Sequence, residues 1–145
     1  MTLTCDQASK IVDVALATRK EKNFKPLSVV VLNEAGDTIV LKREDKTSIL
    51  RTPIATAKAW GALGMGCGSR ELERRSKANP AFFAVVTEIA GGKMVPVAGG
   101  VLIRNANNDI IGSVGVSGDV AGNDEICAVE GIKAAGLIPD TGDPA

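Results

Sequence analysis

Histidine is absent from this chain, and so is tyrosine; one tryptophan and three phenylalanines make up its aromatic content. Without imidazole there is no Ser-His-Asp or Cys-His catalytic set, and the usual ligands for zinc, copper and proximal haem iron are missing. Aromatics at 3% leave no stacking platform for single-stranded nucleic acid. Neither sign of charge predominates, since 17 basic and 17 acidic side chains cancel, and this removes the basic footprint of a nucleic-acid binder. The three cysteines, Cys5, Cys67 and Cys127, form no CxxC pair and no even-numbered framework, so a reducing compartment is expected. No run approaches the ~18 apolar residues of a membrane span. The opening MTLTCDQ lacks the basic stretch and apolar core of a secretory leader. A cytoplasmic protein with no nucleic-acid or membrane partner is expected.

What is present suffices for one core. At 145 residues and 45% hydrophobic, the chain can bury roughly 68–70% of its unfolded surface without a metal or disulfide staple. Residues 1–139 read as one domain and 140–145 as a frayed tail. Thr4 to Lys20 has the pattern of an amphipathic helix, with Thr4 and Gln7 as a capping box. Leu27–Leu32 and Thr38–Arg43 are β-rich runs around the turn residues 33–37, a hairpin signature. Thr52-Pro53 starts a second helix toward Leu63, and the glycines at 64, 66 and 68 end it. Ser69 is placed to cap a charged helix, Arg70 to Ala78. Residues 81–94 fit either a buried helix or a strand. Val95–Arg104 and Ile110–Ser117 read as a second hairpin, and Asn123 as the cap of a last helix through Ala135. Helices at both ends of mostly antiparallel strands give an α+β domain.

The glycine clusters carry little chemistry. Gly64, Gly66 and Gly68 follow a helix rather than a strand, and Gly92-Lys93 lacks the rest of a P-loop. The Gly118–Gly122 turn precedes a helix, but Asp119, Asp124 and Glu125 crowd it with negative charge, which suits helix capping rather than an anion. Lys58 lies among alanines in the second helix; it could salt-bridge a carboxylate, present its ammonium to a ligand at the sheet edge, or snorkel to the surface. Arg43 opens a charged loop, and Trp60 reads as core packing. Glu88 fits a buried acid or a surface position equally. If the protein is an enzyme, proton transfer falls to Lys58, Glu88, Asp124 or Glu125.

The segments GGKMVPVAGGVLIR (91–104), IIGSVGVSG (110–118) and NDEICAVEGI (123–132), with Arg43, Lys58-Ala59 and the opening helix, resemble the GlcG/HbpS family, whose domain also ends PduO-type proteins. The resemblance implies a five-stranded antiparallel sheet flanked by helices, a profilin-like α/β/α sandwich, assembled as homo-oligomers of up to eight subunits. It also implies a small-ligand-binding protein, the ligand being haem or a carboxylate metabolite. Its pocket would be lined by Lys58, Gly99, Gly100, Ser117 and Gly118, with Arg43 and Lys58 pairing with ligand carboxylates. The alternative is an isomerase, lyase or hydrolase of an organic acid, with Lys58 and Glu125 as its acid–base residues. Haem is the cofactor the resemblance suggests, but only Cys or Met could ligate its iron here, and Met65, Cys67 and Met94 read as loop or core residues.

Overall fold

A computed structural model describes residues 2–142. In chain order the elements are α1 (Cys5–Glu21), β1 (Ser28–Asn33), β2 (Thr38–Arg43), α2 (Arg51–Met65), α3 (Ser69–Ala78), α4 (Pro80–Ile89), β3 (Gly100–Arg104), β4 (Ile110–Ser117), α5 (Ala121–Ala134) and β5 (Ile138–Asp140). The strands form one sheet in the order β2-β1-β4-β3-β5, and every pairing is antiparallel.

Side chains alternate across this sheet and divide the core in two. Val29, Val31, Val101, Ile103, Val114 and Val116 point to α1 and α5, where Ile11, Val12, Cys127, Ala128 and Ile132 are buried against them. Val30 and Leu32 point the other way, onto Ala55 and Ala59 of α2. The result is an α/β/α sandwich. No described helix is long and apolar enough to cross a membrane. Cys127 is wholly buried between the sheet and α1, and desolvation pushes its thiol up to about 12.

Local chemistry sets the turns. In α1, Thr4 Oγ1 accepts from the Gln7 N–H at 3.1 Å while Gln7 Oε1 accepts from the Thr4 N–H at 3.0 Å, the reciprocal cap read from the sequence. Both hairpin turns fold around an asparagine: Asn33 Oδ1 accepts from the Ala35 and Asp37 N–H groups, and Asn105 Oδ1 from Asn107 and Asp109.

Elsewhere the structure moves the boundaries. Residues 81–94 hold α4 followed by a loop, and no strand. The segment before β3 is not extended, because Val97 N–H turns back to Val95 O, and the strand begins only at Gly100. Ser69 does not cap α3 but is its first residue, and its hydroxyl accepts from the Gly100 N–H instead. The α5 cap is Val120 rather than Asn123, whose amide donates to Asp119 Oδ1. Asp140 ends β5, paired with Leu102, instead of opening a tail; positions 143–145 of that expected tail lie outside the described residues.

A mostly buried ion pair ties α1 to the end of β2, beside the exposed pair Lys42–Asp13. Glu44 accepts from Arg19 Nε at 2.8 Å, Arg19 Nη2 at 2.9 Å and the Leu27 N–H at 2.8 Å. Desolvation alone would raise the Glu44 carboxyl, but these donors outweigh it and hold the group below the ordinary carboxylate range. A carboxyl depressed by folding contributes stability above its unfolded-state pKa, and that contribution is lost as pH falls through the folded value. Glu44→Gln should therefore be less stable than wild type at pH 7 by about 1–2 kcal/mol in urea unfolding. The difference should begin to shrink as pH falls through the unfolded-state value of about 4.3 and go on shrinking until the folded carboxyl itself takes up a proton, below that range; an equal gap at pH 7 and pH 3 would contradict it.

Candidate functional site

The α2 helix lies close on the sheet because its inner face is nearly all small: Ala55, Ala59 and Ala62 are buried there. Lys58 is the exception. It is 3% exposed, and its Nζ donates to Val116 O at 3.0 Å and to Asp124 Oδ2 at 3.2 Å. The other Asp124 oxygen accepts from the Asp119 N–H at 2.9 Å. One lysine thus joins α2, the end of β4 and the start of α5. Burial pulls the Lys58 ammonium below its ordinary range and pushes the Asp124 carboxyl above its own, each opposed by the partner's charge. Of the roles open to Lys58 in the sequence, the structure shows the salt bridge and not a snorkelling surface residue.

The glycines beside it leave room for protein atoms. A Cβ at Gly99 would sit 2.8 Å from Lys58 Nζ, and one at Gly100 would sit 2.3 Å from Lys58 O. At Gly118 a Cβ would come within 2.2 Å of Pro26 O. Glu125, also buried, is gripped by Arg70, whose Nε lies 3.1 Å from Oε2 and whose Nη2 contacts Oε1. Asp124, in the first turn of α5 as expected, and Glu125 thus also hold partners across the fold. Of the other candidates, Glu88 is exposed on α4.

Ser117 belongs to a second group. Register places Arg43 (β2), Ser28 (β1) and Ser117 (β4) in one row across the sheet. The start of α2 crosses this row: Thr52 Oγ1 is 2.8 Å from Ser28 Oγ, and Arg51 Nη1 donates to Ser117 Oγ at 3.3 Å. Arg43 Nη2 donates to Thr47 O at 2.7 Å, in the loop leading to that helix. The α2 N-terminus has no side-chain cap and no acidic residue in its first turn, so the positive end of its dipole faces this row uncompensated. Arg51 also adds its field to the pair beneath, lowering both Lys58 and Asp124.

The structure thus brings Ser117 and Arg43 to the α2 start and Gly99 and Gly100 to Lys58, whose amine faces inward. Arg51 and Thr52 were not singled out as ligand contacts from sequence. The available signal was an arginine directly before a Thr-Pro helix start, at a first turn free of acids.

The residues at the α2 start include no His, Tyr, Cys or Met and do not fit a haem held there by an iron–protein bond; the exposed thiol of Cys5 is at the start of α1. The chain has no histidine or tyrosine; Met94 is buried against Leu72 and Phe83, and Cys127 is in the core. Cys67 packs against the same cluster as Met94, and desolvation raises its thiol, which favours the protonated form. Among the described residues no group of three or more His, Cys, Asp or Glu side chains could hold a metal ion.

Comparison with known proteins gives the frame for these residues. A family model described as "Haem degrading protein HbpS-like" matches residues 3–133. A Citrobacter freundii relative, described as an uncharacterized 15.0 kDa protein in the dhaT-dhaS intergenic region, is 25% identical over 127 residues, covering 88% of this chain and 87% of its own. The crystal structure of a PduOC:haem complex superposes with a TM-score of 0.86 at 22% identity, over 94% of this chain and 97% of that one. The crystal structure of HbpS gives 0.80 at 25% identity, over 92% and 89%. With a match across nearly its whole length and the same sheet-and-helix arrangement, this chain belongs to the HbpS-like family.

Proposed function

We propose that this chain is a cytoplasmic binding protein for a small molecule bearing a carboxylate, taken at the α2 N-terminus by Arg51 and Arg43 with the hydroxyls of Thr52 and Ser117. The observation that carries the reading is Arg51. A guanidinium has five N–H donors in a planar fork, and here it is half-buried with one long hydrogen bond to Ser117 among the described residues. The donors left over, an acid-free helix start and adjacent hydroxyls suit a bidentate carboxylate. Lys58 and Asp124 support the site from beneath by fixing the end of β4. The same carboxylate chemistry is offered by a free organic acid and by the propionates of a tetrapyrrole, and one structural neighbour is the PduOC:haem complex. Self-association is part of the proposal, since Phe82, Val85 and Ile89 form an exposed stripe along α4.

Calorimetric titration with succinate and, separately, with iron-free protoporphyrin tests this reading and tells the two sources apart. Arg51→Ala should weaken the binding ligand about tenfold or more, the cost of a lost charge-assisted pair. Haemin should give no spectrum of a protein-ligated iron, whatever its propionates do. Light scattering should give a mass above the 14.9 kDa of one chain. Binding of carboxylates by folded Arg51→Ala at wild-type strength would sink the site.

A further inference from the structure

The outer face of α2 carries a second feature that the arginine site does not use. Trp60 stands over an open cleft of about 360 Å³ lined by Thr52, Pro53, Thr56, Ala57, Gly92 and Lys93. Small ligand pockets run from about 300 Å³ upward, so the space suits a one- or two-ring molecule. Its wall is mainly apolar, from Pro53, Ala57 and the indole.

The cleft is built from both sides. One edge of the indole rests on Gly36 in the first hairpin turn, where a Cβ would stand 3.2 Å from its ring. Trp60 is therefore packed on its sheet side and half-exposed on the other. The opposite wall is the loop after α4. Buried Met94 anchors it by filling the space over Gly61, where a Cβ would lie 2.6 Å from Met94 Cγ. Val95 N–H reaches Ala57 O at 3.4 Å. Gly92 takes φ +77° with open space around it, a left-handed turn that favours glycine. That turn carries Lys93 outward, with its ammonium 5.5 Å from the Trp60 ring centroid. An apolar floor, a π face and one exposed cation at the rim are complementary to a flat ring with a negative substituent.

We propose that this cleft binds a planar aromatic carboxylate, its ring against Trp60, Pro53 and Ala57 and its carboxylate on Lys93. Lys93 exchanges its contact with the indole face for an ion pair with the ligand, while stacking supplies the apolar part of the affinity. The inference is independent of the arginine site. The two share only Thr52, whose hydroxyl is turned to Ser28.

Trp60 is the only tryptophan in the chain, so its indole N–H gives one assignable proton–nitrogen NMR peak; the same indole also borders a hollow at the Gly36 turn, and the Lys93 variant is what ties a shift to the cleft. Titration of the full chain with 2-naphthoate should move this peak saturably. Acetate, with the charge but no ring, should leave it in place, and 2-naphthylmethanol, with the ring but no charge, should bind about fivefold more weakly than naphthoate. Lys93→Gln, an exposed substitution outside the core, should weaken naphthoate by about the same factor. Arg51→Ala should leave the titration unchanged, so that failure of either site is seen separately. No saturable shift in wild type, or equal affinity in Lys93→Gln, would overturn the proposal, as would loss of the shift in Arg51→Ala with retention in Lys93→Gln.

Discussion

Lys58→Met should destabilise the protein by about 3–5 kcal/mol, the range measured when one partner of a buried ion pair is removed. Methionine keeps much of the lysine stem's volume, so the loss would not come from a cavity. It would come from Asp124, left 0% exposed without its ion-pair partner, and from Val116 O, which loses its lysine donor. Adding Asp124→Asn should restore more than half of the loss. The amide is neutral, its oxygen can still accept from the Asp119 N–H, and its NH2 can turn to the space the ammonium left. Urea unfolding of the two variants checks both statements. A double variant as unstable as the single one would mean that lysine acts through packing rather than charge. The same experiment bears on the site, because the pair fixes the end of β4 on which Ser117 meets Arg51.

The parts of this fold that could be read from the chain are those whose determinants are local. The Thr4–Gln7 cap and the two asparagine-centred turns lie within a few residues of what they organise, so the first helix and both hairpins follow from short sequence windows. Residues 80–89 did not yield, because periodicity informs only where one face is buried. Here Phe83 alone is buried, while Phe82, Val85 and Ile89 point outward. Strand β5 also escaped: three residues containing a proline look like a helix stop, and only pairing with β3 makes them a strand. The site divides the same way. Lys58 stood out as a lone charge among alanines, yet its partner Asp124 is 66 residues away, and no local pattern joins them. Asp124 and Glu125 could be read from the sequence as helix-start acids, and Asp124 is in the first turn of α5; that α2 and α3 also bring Lys58 and Arg70 to them could not.

Gly115→Val should cost at least about 3 kcal/mol, the upper end for overpacking, because nothing soft lies in the way. A Cβ at Gly115 would stand 1.8 Å from Ala55 O, with Ala59 Cβ at 3.0 Å. The carbonyl belongs to the backbone of a helix 15 residues long, so no rotamer change can clear it. Either α2 lifts from β4 or the strand buckles. On the neighbouring strand Gly100, paired with Gly115, is equally pressed against Lys58 O, so the sheet cannot shift toward β3 without a second collision. Thermal unfolding should show the loss. Gly122→Ala serves as the control: nothing lies within 4 Å of its Cβ position at the start of α5, and alanine's higher helix propensity should leave stability unchanged or slightly raised. If α2 lifts, Arg51 parts from Ser117, Trp60 loosens from the Gly36 turn, and the sole indole emission should shift to the red as water reaches it. Wild-type stability in Gly115→Val would mean that α2 does not ride on bare backbone, and the placement of both proposed sites would fall with it.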